Sequence, residues 1–279
     1  MRIIAIRGGK TLVGKLFAVV IAVITIISAG IFISRVWWLP ADVSVLGVGI
    51  DRQMSETMIS AGVLFVLSQL VLALFAWQYG DRGDGRAIKI FPGGATPMVV
   101  IATVLVGAEI LALTLVGTKV WAGIFLTPPD PKALQIDVQA EQFAFYFRYP
   151  GVDGTFGAVH PELIDDGNNN FFGLDPANDT TARDDIVSAS LAVPVNRPVL
   201  LTLHAKDVGH AFYVPELRIQ QDFVPGLVIP LHFTATQVVK KEIVCTQLCG
   251  LGHYNMRAYL EVMPQDKFDQ WMRDQAALQ

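Results

Sequence analysis

Thr127-Pro128-Pro129-Asp130-Pro131 is the stretch that divides this chain. Proline lacks a backbone N–H and clashes with the preceding turn, so a run this rich in it cannot continue a helix. Before the run, long apolar stretches show no alternation. After it, Leu134, Ile136 and Val138 alternate with polar neighbours, the period of a strand with one buried face. The prolines therefore read as a stiff exit from one kind of structure into another.

Upstream, Leu16 to Ser34 and Thr57 to Gly80 carry no charge, and Ile90 to Thr118 is broken only by Glu109. Each is long enough to cross about 30 Å of hydrocarbon as a helix. The first follows Arg2, Arg7, Lys10 and Lys15 as a signal peptide would, but it runs on through Trp37 and Trp38 and lacks an A-x-A-like cleavage site, so a retained span is expected. Arg82, Arg86 and Lys89 crowd the second loop, whereas the first has only Arg35 and Arg52. Cationic loops stay inside, so the N-terminus and second loop face inward and everything after about Thr127 faces outward. In a bacterium that means an inner-membrane protein with its outer part in the periplasm. The expected division is an anchor over 1–126, with spans near 15–38, 57–80 and 96–122, and an outer domain over 127–279.

Downstream, alternation recurs in Phe143, Phe145 and Phe147, in Leu191 and Val193, from Val199 to Leu203, from Val228 to Phe233, from Glu242 to Val244 and from Arg257 to Val262. Short strands between Pro, Gly and Asn turns predict an antiparallel sandwich or barrel. Pro264 starts a short final helix over Gln265 to Ala277 that buries Phe268, Trp271 and Met272. The fold class is α+β: three transmembrane helices, then an all-β domain.

Composition agrees. The 279 residues are 52% hydrophobic and 16% charged, with mean hydropathy +0.46, too apolar for a disordered or ordinary soluble chain. A net charge of −4 with no basic run after the spans argues against nucleic acid as a partner. Residues 1–119 hold 10 Lys/Arg against 6 acids and residues 120–279 hold 11 against 19, which leaves the outer part near −8. Such a face steers a cationic protein toward it, although a merely solvated surface would look the same. Its acids concentrate in an insertion of about 150–187, eight of them against Arg183 alone. A mobile solvated loop is the default expectation there, with a docked basic domain or calcium held by oxygen ligands as the other readings.

The chemistry lies in His210 and in Cys245-Thr-Gln-Leu-Cys249-Gly-Leu-Gly-His253-Tyr-Asn-Met256. Thiolate and thioether are soft ligands that suit copper, and Met serves zinc poorly. One loop with two cysteines lets both sulfurs bridge two copper ions, His210 capping one and His253 the other, with Met256 as a weak axial ligand and the Gln247 carbonyl facing the second ion. Closed by protein ligands, such a centre would pass electrons and bind no substrate. A Cys245–Cys249 disulfide, a Cys2His2 zinc site and a membrane-tethered copper-delivery protein are the alternatives.

The C-x-x-x-C-G-x-x-H-x-x-M run, with Asp207-Val-Gly-His210 upstream and Gln221-Asp222-Phe-Val-Pro225-Gly226 between, resembles subunit II of haem-copper cytochrome c oxidases. The resemblance covers about residues 95–275. It implies a cupredoxin-like barrel bearing the dinuclear CuA centre. That centre takes electrons from cytochrome c, or a complex-bound cytochrome domain, and passes them to haem a in subunit I, where oxygen is reduced to water. Carried over, the ligands are His210 with Met256 on one copper and His253 with the Gln247 carbonyl on the other, bridged by Cys245 and Cys249. Asp207 is expected to support the ligands from behind and Asp222 to dock the donor, though capping a turn would explain either.

The chain departs from the family in four places. The family has Glu where Gln247 stands, so the magnesium ion shared with subunit I is doubtful. Phe143 replaces the Trp through which electrons usually arrive, and at least two of Phe143, Phe145 and Phe147 are expected to be plain core. Three spans stand where most members have two. Finally, Glu109 sits about 18 Å deeper than Pro97 at about 1.5 Å per residue. A carboxylate at that depth needs protein or water beside it, so a contact with subunit I is expected, a proton path being one use for it.

Overall fold

The computed structural model describes residues 10–79 and 96–278. Arg2, Arg7, Arg82, Arg86 and Lys89, on which the charge reading rests, lie outside the described residues. Three helices, α1 (Lys10–Ser34), α2 (Val45–Tyr79) and α3 (Thr96–Phe125), are long and apolar enough to cross a membrane. Two compact units result: Met1–Trp38 with Arg52–Ala122, and Leu39–Asp51 with Gly123–Gln279.

In the helical unit, Ala18, Ile21 and Thr25 are the buried side of α1, and the Thr25 hydroxyl donates to the Ile21 carbonyl at 2.8 Å, so it needs no water. On α3, Leu113 and Gly117 face α2: the Gln53 amide donates to the Leu113 carbonyl at 3.2 Å. Glu109 is one turn from Leu113 on that same face and is half-buried.

α2 begins twelve residues before the expected span. Asp51, Arg52 and Glu56 ended the uncharged stretch without ending the helix. Arg52 Nε meets Glu56 Oε1 at 2.8 Å, one turn on. Upstream, the Ser44 hydroxyl caps the first turn by accepting from the Gly47 N–H at 2.8 Å. The residues before that cap belong to the outer unit. Val43, 2% exposed, enters its core, donating to the Glu216 carbonyl at 2.9 Å and accepting from the Thr236 N–H at 2.8 Å. Arg218 holds both oxygens of Asp51, at 2.6 and 2.9 Å, and the Pro40 carbonyl at 2.5 Å. The first interhelical loop is thus a strap on the outer domain.

That domain is a sandwich of two five-stranded sheets. One has the order β3 (Ile186–Ser188), β2 (Ala144–Tyr149), β1 (Leu134–Glu141), β5 (Pro198–Ala205), β8 (Ile229–Thr234). The other runs β4 (Ser190–Pro194), β10 (Arg257–Met263), β9 (Val239–Val244), β6 (His210–Val214), β7 (Ile219–Phe223). The expectation of purely antiparallel sheets is corrected: β1 pairs with β5, and β10 with β4, in parallel. Both parallel pairs join strands distant in sequence, so no local turn signal announces them.

The core sits between the sheets. Ile136, Val138, Phe145, Phe147, Leu201 and Leu203 face Leu191, Phe212, Val214, Phe223, Ile243 and Leu260, all buried. The Tyr149 hydroxyl donates to the Ala192 carbonyl at 3.0 Å and accepts its N–H at 2.8 Å, tying the two sheets. Helix α4 (Gln265–Ala276) closes one end by setting Trp271 edge-on to Tyr149, centroids 5.1 Å apart, and burying Phe268.

Between β2 and β3 the insertion is a built layer, against the expectation of a mobile loop. Arg148, 1% exposed, forms a buried ion pair with Asp185, donates to the Gly157 carbonyl at 2.5 Å and lies 4.9 Å from the Phe156 ring. Tyr146 stacks on Phe171 at 3.6 Å, and Lys206 Nζ meets Asp166 at 2.6 Å. Burial pushes the Asp185 carboxyl above its ordinary range, which the Arg148 guanidinium opposes.

Candidate metal centre

Three segments at one end of the sandwich bring the site together. His210 opens β6, Cys245 follows the end of β9, and a tight loop carries Gln247, Cys249 and His253 to Met256, just before β10. The antiparallel β9–β10 pair sets Val244 opposite Arg257, so the loop's two ends, and with them Cys245 and Met256, are held together. The Cys245 N–H closes that neck by donating to the Met256 carbonyl at 3.2 Å. Gly250, at φ +136°, allows the loop to reverse where a side chain would be strained.

The donor atoms face one another. Cys245 Sγ and Cys249 Sγ are 3.9 Å apart, far beyond a disulfide of about 2.05 Å, and both are free thiols. Cys249 Sγ lies 3.7 Å from Met256 Sδ and 3.6 Å from His253 Nδ1, and the Gln247 carbonyl is 3.1 Å from Cys245 Sγ. A ring nitrogen of His210 and both thiols fall within 4.8 Å of one another, all in buried residues. His210 Nε2 lies 2.8 Å from Asp207 Oδ1. A carboxylate only accepts, so Nε2 carries the proton and Nδ1 keeps its lone pair. That Nδ1 is buried without a hydrogen-bond partner. An orphaned lone pair facing two sulfurs is what a cation would satisfy.

Electrostatics point the same way. Burial raises the Cys245 thiol, but the His210 imidazole when it carries a proton on both nitrogens, the Ala211 and Gln247 backbone and His253 bring it down to about 6. Burial and the neighbouring Cys245 charge push Cys249 up to about 11. Without a cation, the second thiolate is disfavoured by the first. Burial works against the Asp207 carboxylate, yet His210 and the N–H groups of Gln142 and Val208 hold it below its usual range.

The other sequence-derived residues lie at different distances. Phe143 is 41% exposed, and its ring lies against the ligand loop at Gly252, where an added Cβ would come within 2.5 Å of it. Phe145 and Phe147 are core. Asp222 is exposed on β7, opposite Ala211 on β6. Glu109 belongs to the helical unit. Missed by sequence reasoning was Gln142. Its backbone N–H donates to Asp207 Oδ2 at 2.8 Å and its side-chain amide to the Cys249 carbonyl at 2.5 Å. Its only sequence signal is its place beside Phe143 in the aromatic segment.

Comparison with known proteins bears on this site. Residues 174–263 match the family described as cytochrome C oxidase subunit II, periplasmic domain. The chain is 29% identical over 241 residues to the alternative cytochrome c oxidase subunit 2 of Bradyrhizobium diazoefficiens, covering 86% of this chain and 84% of that one. It is 42% identical over 93 residues to cytochrome c oxidase subunit 2 of Thermostichus vulcanus, covering 33% of this chain and 28% of the relative. Among solved structures it is similar to the periplasmic domain of subunit II of cytochrome oxidase of Bradyrhizobium japonicum, with TM-score 0.40 and 22% identity over 55% of this chain and 99% of that one. The matched span runs through His210 and the whole Cys245–Met256 loop, so the similarity to cytochrome c oxidase subunit II includes the site itself.

Proposed function

We propose that the chain is the electron-receiving subunit of a respiratory haem-copper terminal oxidase, anchored in a bacterial inner membrane with its metal domain in the periplasm. One observation supports this most: two thiols, two imidazoles, a thioether and a carbonyl meet in one cluster where a buried imidazole nitrogen lacks a partner. Soft donors of this kind suit copper. The sulfur separation of 3.9 Å is under twice a thiolate–metal bond of about 2.3 Å, so both sulfurs can reach one ion together. On this reading Cys245 and Cys249 would be shared by the dinuclear group, with His210, Met256, His253 and the Gln247 carbonyl as its other ligands. A dinuclear copper centre so enclosed supplies one-electron relay.

The chain's own residues do the positioning. Asp207 fixes the tautomer of His210, and Phe143 covers the ligand loop and is the proposed arrival point for electrons. Asp222 offers a surface carboxylate to a cytochrome c or a complex-bound cytochrome domain. Electrons then leave toward haem a of subunit I, the site of oxygen reduction. Gln247 has no carboxylate to offer, so no magnesium is expected at it. Glu109 is proposed to meet subunit I within the bilayer, and Glu109→Gln is expected to lower proton uptake by the assembled oxidase.

The test is a metal count and an electron paramagnetic resonance spectrum of the oxidised full-length chain in detergent. Two coppers per chain sharing one unpaired electron is the expected result. No copper, or hyperfine splitting from a single nucleus, would overturn the proposal and favour a tethered copper-delivery protein.

A further inference from the structure

We infer that Gln142 is the positioning residue that couples the two ligand-bearing loops of the proposed copper centre, an inference that rests on the reading above. β1 and β2 join through the turn Gln142–Phe143, directly after Glu141 and before Ala144. The Gln142 N–H donates to one oxygen of Asp207 at 2.8 Å, and the other oxygen lies 2.8 Å from Nε2 of His210. The Gln142 side-chain amide donates to the Cys249 carbonyl at 2.5 Å. A single residue therefore holds the His210 arm with its backbone and the cysteine loop with its side chain.

Neighbouring contacts reinforce this turn. Phe143 packs on Gly250 and Gly252, where an added Cβ would fall 3.2 and 2.5 Å from its ring. Lys206, the residue before Asp207, donates its N–H to the Ala140 carbonyl at 3.0 Å and its Nζ to Glu141 at 2.5 Å. The base of the His210 arm is thereby pinned to the end of β1 that feeds the turn. Gln142 touches the carbonyl of Cys249 and no donor atom, so it acts through the ligands. The separation between His210 and the two sulfurs, and hence the sharing of an electron between two ions, depends on both of its bonds being made.

The experiment uses the copper-loaded full-length chain. Gln142→Met keeps the length of the side chain and removes its donor; Gly252→Ala pushes Phe143 and the turn away from the ligand side. Each variant is expected to bind two coppers, show unequal hyperfine coupling to the two nuclei and a shifted midpoint potential, and lose copper to a chelator about five- to tenfold faster than wild type, the effect of one partly buried hydrogen bond. Wild-type hyperfine coupling, potential and release rate in both variants would overturn the inference. A wild-type chain without a dinuclear signal would instead overturn the functional reading. Should Gln142→Met fail to fold by circular dichroism, Gly252→Ala alone decides.

Discussion

Two irregular segments of the outer domain, the ligand loop from Cys245 to Met256 and the insertion between β2 and β3, keep their shape by opposite means. In the insertion, polar groups satisfy one another. Asp165 accepts from the Gly167 N–H at 3.0 Å, Asp179 from the Ala158 N–H at 2.7 Å and the Thr181 hydroxyl at 2.6 Å, and Asp175 from the Asn178 amide at 2.7 Å. These carboxylates form turns, which is why so acidic a segment is ordered. In the ligand loop, by contrast, the chemically strongest groups face one another, sulfur against sulfur, imidazole and thioether. A loop of the first kind is complete in itself. One of the second kind would be completed by a bound cation.

The largest predicted effect follows from that contrast. Cys249→Ser removes one of the two sulfurs that could bridge, and abolition of the dinuclear spectrum is expected, with copper per chain falling below two. Removing metal from the wild-type chain should raise amide hydrogen exchange in 245–256 and leave 150–185 unchanged. Equal responses in both segments would break the comparison.

Next in size is Arg148→Met, which attacks the insertion. It leaves Asp185 a buried, uncompensated carboxylate, and breaking such a pair costs about 3 kcal/mol or more, eased here to the extent that Asp185 takes up a proton. Lower thermal stability and proteolysis within 150–185 are expected while the copper spectrum stays intact. Met256→Leu is smaller again. It fills the same buried space with little loss of stability and deletes only the thioether. Both coppers should remain, with a shifted potential measured by redox titration. An unshifted potential would remove Met256 from the ligand set.

The same contrast explains what could be read from the chain. That Cys245, Cys249, His253, Met256 and His210 would gather was legible because donor chemistry is carried by residue type and spacing, whatever the surrounding fold. Strand β1 was legible from Leu134, Ile136 and Val138, because alternation is a local signal. The parallel β1–β5 and β4–β10 pairings were not, since each depends on a partner far along the chain. Nor was Arg148: it shares β2 with Phe145, Phe147 and Tyr149 but lies on the opposite face, and only the folded insertion buries it. Val43 reads as a loop residue until Glu216 and Thr236 bracket it as part of the outer core. Long-range burial is invisible to any window that sees one segment at a time.

The smallest effect sharpens the insertion side. Hydrogen bonds from the Thr181 hydroxyl and the Ala158 and Thr181 N–H groups hold the half-buried Asp179 carboxyl down to about 2. An unfolded aspartate titrates near about 3.9, so the folded form is the stronger acid. Its contribution to local order is fully present above pH of about 4 and is lost as pH falls through about 2. Limited acid proteolysis should therefore open the Ala158–Thr181 region progressively across that window in the wild-type chain. Asp179→Asn, which cannot ionise, should show a smaller change in susceptibility between pH of about 5 and about 2 than the wild-type chain, the remainder coming from Asp165 and Asp175. A wild-type chain whose insertion is equally resistant at both ends of the window would show that the turn is held by Arg148 and the sheet alone, and not by its own carboxylates.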